Sequence, residues 1–313
     1  MSRATDAWSN YWASGKTSTF GGLDDLASGQ SLVELWGSYL GPISPGHVLD
    51  VGCGNGSLGQ IILQLAQQQI SPIKVTGIDS AILPQLDHGT ADLTLMGGTA
   101  VETLPFEAET FELIVSQFGF EYAAIDEALG EIYRTLKPSG KVLVIGHHRS
   151  SWVCRDSFDV IRQMKEAEDS ALLISVERLL TRLNELKIAG QSPAQDETAE
   201  KLRALVNGTV KELEDSAKKH SNPGFTIQFL NSVMTLFKQG KGDLEAHRDH
   251  LKEMSRSLFE YRERLDSQKN VARDDEGWAA IRASFACSGF RVTRYEPVVI
   301  NGYHFGHVIE ASK

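Results

Sequence analysis

Between residues 46 and 149 the chain alternates short β-branched runs with stretches of helical period, the pattern of a parallel sheet wrapped by helices. Strands are predicted at His47–Val51 (HVLDV) and Lys74–Ile78 (KVTGI), more weakly around Leu93–Met96, then at Phe111–Ser116 (FELIVS) and Lys141–Gly146 (KVLVIG). Helices are predicted over Leu58–Gln68 and Ala123–Leu136. Lys137-Pro138-Ser139-Gly140 reads as the turn that stops the second helix and delivers the chain into the fifth strand.

After that strand the pattern changes. From about Ser157 to Gln268 nearly every segment has helical period: Phe158–Leu186 (whole or broken), Glu197–Lys219 and Thr226–Lys238, with turns at Ser221-Asn222-Pro223-Gly224 and Gly240-Lys241-Gly242. A last stripe, Leu244, His247, Leu251, Met254, Leu258, Tyr261 and Leu265, alternates spacings of three and four. It suits an internal helix–helix seam better than a free coiled coil, with a homodimer through these helices as the other reading. Trp278–Cys287 then reads as a helix, and Arg291–Ile300 and His304–Ala311 as strands joined at Asn301-Gly302. The expected organisation is a lid or helical segment over 1–45 and an α/β core over 46–150. An all-helical insertion over 151–275 would cover the substrate or serve assembly, and 276–313 would supply the core's closing helix and hairpin.

Composition adds bounds. The apolar fraction of 41% allows a sizeable core. No run approaches the ~18 apolar residues of a membrane span, and Met1–Asn10 has neither the basic nor the apolar region of a signal peptide. Cys53, Cys154 and Cys287 show no CxxC spacing, which argues against a disulfide framework or a metal site and fits a cytoplasmic location. The net charge of −10 would repel a phosphate backbone, so nucleic acid is a disfavoured partner. Residues 151–275 hold 20 basic and 22 acidic side chains, the balance expected of exposed helices laced with opposite charges.

The chemistry concentrates at Val48-Leu49-Asp50-Val51-Gly52-Cys53-Gly54-Asn55-Gly56, where a predicted strand gives way to a helix. Its glycines let the backbone approach a ligand with no Cβ in the way. A dinucleotide turn wants G-x-G-x-x-G; here the third glycine comes one residue early and Ser57 follows. Asp50, two residues before the first glycine, would repel a pyrophosphate but attract the ammonium of an amino-acid ligand. Asp79, at the end of the second strand, can accept both hydroxyls of an adenosine ribose. Capping of a following helix is its structural alternative.

At these residues the sequence resembles the class I S-adenosylmethionine (SAM)-dependent methyltransferases. The matching segments are VLDVGCGNGSLG, VTGIDS, ETLPFEAETFELIVSQFG and EIYRTLKPSGKVLVIG, in the family's order and spacing over residues 46–149. The resemblance implies a Rossmann-like α/β fold: a doubly wound, seven-stranded, mostly parallel sheet with its last strand antiparallel. It also implies SAM lying across the ends of strands one, two and four. On that basis Asp50 and the turn Gly52, Cys53, Gly54 and Asn55 would hold the methionine moiety, and Asp79 and Ser80 the ribose. Ala100, Val101 and Glu102 would meet adenine, and Gln117 would line the cofactor opposite the glycines. Many relatives carry an Asp before the LPF segment. Here that place holds Ala100, leaving adenine to backbone groups or Glu102.

Methyl transfer is an in-line displacement at an activated carbon, so positioning alone can contribute ~7–11 kcal/mol. A base is needed only when the nucleophile arrives protonated. Glu121, His147 and His148, at the tips of strands four and five, are the acid–base candidates, with Phe118, Phe120 and Tyr122 as walls for an apolar, aromatic or cationic acceptor. The structural alternatives are a favourable helix start for Glu121 and hydrogen-bonded strand ends for the histidines. Trp8, Tyr11, Trp12 and Phe20 should fold back over something. Tyr11 and Trp12 are the candidate lid and substrate contacts, with core packing an equal contender. The expected activity is methyl transfer from SAM to an O or N atom of a small molecule. The alternatives are a protein methyltransferase that docks through the helices and a non-catalytic SAM-binding module.

Overall fold

The computed structural model describes residues 3–16, 29–86, 89–238 and 244–313, so Phe20 and the Gly240-Lys241-Gly242 turn lie outside the described residues. The chain divides into two compact units, one of Met1–Arg155 with Ser267–Lys313, the other of Asp156–Asp266. Seven strands, β1 (Gly46–Val51), β2 (Ile73–Asp79), β3 (Leu93–Gly97), β4 (Phe111–Gln117), β5 (Leu136–Gly146), β6 (Arg291–Ile300) and β7 (Tyr303–Ser312), form one sheet in the first unit. Their order is β3-β2-β1-β4-β5-β7-β6. The first five pair in parallel, and β7 runs antiparallel to both β5 and β6. Strand order reverses at β1, which has β2 on one side and β4 on the other. Ligands of open α/β sheets bind in the crevice at such a reversal.

The helices in chain order are α1 (Arg3–Ala13), α2 (Gly29–Leu40), α3 (Ser57–Gln68), α4 (Ile125–Thr135) and α5 (Trp152–Asp169). They continue with α6 (Leu172–Ile188), α7 (Glu197–Ala217), α8 (Gly224–Lys238), α9 (Leu244–Val271) and α10 (Asp275–Cys287). Leu58, Ile62, Leu65 and Ala66 recur at helical spacing along α3 and pack with Trp36 of α2 on one face of the sheet. Leu129 and Ile132 of α4 pack with Trp278 and Phe285 of α10 on the other. Trp36 and Trp278 are both fully buried. Truncating either to alanine should cost ~3–5 kcal/mol.

One boundary differs from that which the sequence predicts. The Lys137–Gly140 stretch belongs to β5 rather than to a turn: Leu136 already pairs with Phe111, and the Lys313 N–H donates to the Gly140 carbonyl at 3.2 Å. Between the Leu136–Phe111 and Lys141–Leu113 pairs the register shifts, so these four residues bulge opposite Glu112, with Ser139 in the left-handed region at φ 63°. The Phe158–Leu186 stretch takes the broken one of its two expected forms, parted at Ala171 with φ 51°.

In the second unit Leu172, Val176, Phe229 and Val233 share a core with Leu251, and Leu244, Met254 and Leu258 pack against it. The leucine stripe is therefore a seam inside the unit. The His220 imidazole is nearly buried between two carboxylates, with Nδ1 2.9 Å from Asp159 Oδ1 and Nε2 3.1 Å from Glu166 Oε1. Burial alone would lower its pKa, but the two carboxylates outweigh burial and raise it. Burial would raise Asp159, but His220 and Arg162 hold it below its usual range. Among the described residues no helix is long and apolar enough to cross a membrane.

Candidate functional site

The loop after β1 is tied to β2 by the Gly52 and Cys53 N–H groups, which donate to the Ile78 carbonyl at 2.8 and 3.0 Å. Gly52 adopts φ +71°, and a Cβ there would stand 2.6 Å from Gly119 Cα, so the tips of β1 and β4 meet backbone to backbone. Gly54, at φ +49°, lies directly under the Trp12 indole, where no side chain would fit. Its N–H donates to Asp79 Oδ2 at 2.9 Å, while the Ala81 N–H donates to Oδ1 at 2.8 Å. Asp79 caps no helix, since none follows β2 before β3 among the described residues. Its carboxylate is held against the glycine turn with lone pairs to spare.

Asp50 is 1% exposed, and its Oδ2 finds no hydrogen-bond donor among the described residues. The buried Asn55 Oδ1 is likewise without one. Burial first, and the nearby Asp79 charge second, push Asp50 up to about 7. Burial also raises Asp79 despite its two backbone donors. The Cys53 thiol, buried beside both carboxylates, is pushed up as well. Ser80 is exposed at the bend after β2. Ala100 precedes a short 3-10 turn over Val101–Thr103, and the Val101 side chain lies in the core, so that its backbone is what it can offer a ligand. One Glu102 oxygen is occupied by the Ala124 N–H at 2.9 Å, and Gln117 Oε1 accepts from Trp36 Nε1 at 2.7 Å.

At the tips of β4 and β5, Glu121 and His147 form a buried pair. Glu121 Oε1 accepts from the His147 backbone N–H at 2.8 Å and lies 2.6 Å from His147 Nδ1. With Nδ1 donating to the carboxylate, Nε2 is left as the imidazole's acceptor. Glu121 Oε2 has no donor among the described residues. Trp278 Nε1 donates to the His147 carbonyl at 3.1 Å. Phe118, in the left-handed region at φ 58°, stacks on the His147 ring at 4.2 Å and meets Phe305 edge-on at 5.0 Å. A bulky side chain held there costs ~1–3 kcal/mol, strain that concentrates at functional sites. Tyr122 lies 6.3 Å from His147 and 6.2 Å from Trp8.

Two expectations are corrected by this geometry. Phe120 walls no ligand, being fully buried against Phe285 in the core. His148 does not join His147: its Nε2 meets Asp275 Oδ1 at 3.2 Å and its Nδ1 meets Ser150 Oγ at 2.9 Å. Trp12 stands on the glycine turn itself, and α1 is fastened there by Asn55 Nδ2, which donates to the carbonyls of Trp12 and Lys16 at 3.0 and 2.7 Å. Tyr11 packs edge-on against Trp12 at 5.0 Å on the same helix. Among the described residues no group of three or more His, Cys, Asp or Glu side chains could hold a metal ion.

Residues 48–140 match the family model described as a methyltransferase domain. They span β1 to β5 and hold both the glycine turn and Asp79. This stretch carries a SAM-dependent methyltransferase domain. The ubiquinone/menaquinone biosynthesis C-methyltransferase UbiE of Legionella pneumophila is 32% identical over 134 residues, 39% of this chain and 52% of that protein. An uncharacterised methyltransferase of Schizosaccharomyces pombe is 32% identical over 108 residues, 34% of this chain and 41% of the relative. The chain thus spans about half the length of the curated relatives it matches. A solved SAM-dependent methyltransferase from Aquifex aeolicus aligns over 95% of this chain and 94% of its own, with 11% identity and a TM-score of 0.42.

SAM fits the turn of this methyltransferase domain. Its ammonium would supply the donor that Asp50 Oδ2 and Asn55 Oδ1 lack, and its ribose hydroxyls would find the spare lone pairs of Asp79. Sequence reading missed the fastening of α1 by Asn55, the Trp36–Gln117 bond and the Trp278 support of His147. Each joins residues 39 or more apart, and no local pattern marks them.

Proposed function

We propose that the protein transfers the methyl group of SAM to a small-molecule acceptor that reaches the site protonated, with Glu121 and His147 as its base. The observation that carries this reading is the buried Glu121–His147 pair, one strand tip away from the glycine turn. The cofactor supplies a methyl carbon already activated by its sulfonium. The chain's own residues hold the acceptor and remove its proton. Nε2 of His147 takes that proton, and the Glu121 carboxylate, which accepts from Nδ1, stabilises the imidazolium that results. Phe118, stacked on the ring, and Tyr122 at its side keep water from the base and offer an aromatic surface to the acceptor.

An O–H or N–H acceptor meets these requirements. So does an acidic C–H, the class suggested by the C-methyltransferases among the relatives. The test is transfer of isotope-labelled methyl from SAM to a panel of phenols, quinols and amines, by the intact chain and by His147→Ala. The intact chain should label at least one acceptor, and His147→Ala should bind S-adenosylhomocysteine normally yet transfer at least a hundredfold more slowly. Equal rates in the two proteins would remove His147 from the reaction.

A further inference from the structure

Asp50 is hemmed in by groups that offer it no counter-charge. Its pairing partners on the flanking strands are Gly77 of β2 and Val115 of β4, neither of which has a polar side chain. Beyond Gly77, β2 ends in a second carboxylate, Asp79. The turn brings Cys53, an acid in its own right, and Asn55, whose amide nitrogen already donates to two α1 carbonyls. The first turn of α3 carries no acid, and the Gly59 N–H facing Asp50 is the backbone donor that favours its ionised form. Lys16, beyond α1, has its ammonium over the Tyr11 ring, 5.0 Å from the centroid. A buried oxygen with no donor and no cation among the described residues, beside a second carboxylate, is a place for a proton or for a positively charged ligand, one excluding the other.

We propose that the cofactor's ammonium displaces a proton from Asp50, so that binding at this turn releases a proton and weakens as the medium becomes acid. The inference rests on the reading of the turn as the methionine end of a SAM site. While the turn is empty Asp50 holds its proton up to about pH 7, because burial and Asp79 both oppose its ionisation. An ammonium beside Oδ2 reverses the balance, and the proton leaves to solvent. The consequence is regulatory: acidification loosens the grip on cofactor without touching the fold, because only the ligand-bound state requires the ionised acid.

Calorimetric titration of the full chain with S-adenosylhomocysteine tests this, run at each pH in two buffers of different ionisation enthalpy. With Asp50 ordinarily near 7, about 0.9 proton should be released per ligand at pH 6 and almost none at pH 8.5. The affinity should fall about twenty-five-fold from pH 7.5 to pH 5.5. Asp50→Asn keeps the shape of the protonated acid and should abolish the release, which also controls for titration of the ligand itself. Asp79→Asn leaves Asp50 in place but removes its charged neighbour, and should move the inflection to lower pH. Binding without proton release, and with the same affinity across this range, overturns the inference and leaves the cofactor site standing. No binding at any pH overturns both.

Discussion

Glu121 ties its tip of β4 to the tip of β5, and its chemistry depends on charge as well as shape. In Glu121→Gln the amide oxygen can still accept from the His147 N–H, but no anion faces the imidazolium. Turnover should fall ~10²–10⁴-fold while affinity for S-adenosylhomocysteine stays unchanged. Loss of both in equal measure would mean that the residue only supports the fold. Asp79→Ala removes the anchor of the Gly54 N–H together with the two ribose contacts proposed for this carboxylate, and should weaken cofactor binding by ~1.5–3 kcal/mol in calorimetry. Unchanged affinity in a folded variant would place the ribose elsewhere. Both acids could be named from sequence because each sits at a fixed offset from a strand end. That Glu121 meets His147 rather than His148 could not, since neighbouring residues at a strand end point to opposite sides.

The contact between β1 and β4 is a glycine against a glycine. A Cβ at Gly119 would lie 2.7 Å from Gly52 Cα and 2.8 Å from the Val51 carbonyl, backbone atoms that cannot swing aside. Gly119→Ala should therefore destabilise the protein by ~1–3 kcal/mol and weaken cofactor binding, read by thermal melting and calorimetry. Gly130, in the middle of α4 with nothing near its missing Cβ, is the converse case. Gly130→Ala should stabilise by ~0.5–1 kcal/mol, and a lower melting point would contradict the open space around that position. The strands and α3 were legible in the sequence because their apolar spacing has one dominant period. Lys137–Gly140 was legible only in part: its turn-forming residues do break the ladder, but as a bulge inside β5 rather than as a turn before it. The fastening of α1 on the glycine turn was hidden, since its hydrogen bonds come from Asn55, far along the chain.

At the scale of the molecule each unit has its own core, and the helical one carries its own dependence on pH. His220, raised by Asp159 and Glu166, contributes stability that is complete below about pH 6.5, the unfolded value, and is lost as pH climbs through the folded one. Asp159, held low, contributes stability that is complete above about pH 4 and is lost as pH falls through its folded value. Melting temperature should therefore be highest between those limits and decline from pH 6.5 to 9, and His220→Gln should flatten the alkaline decline. An unchanged slope in that variant would assign the dependence to other groups. The Trp278 bond to the His147 carbonyl bears on how the molecule is made. The residues that would cradle a cofactor are complete once synthesis has passed Gly119, but the support of the base comes from a tryptophan more than 120 residues after the histidine it steadies. A nascent or truncated chain could thus acquire its methyl donor long before it could use it, and the protein would remain chemically silent until almost its last helix had folded home.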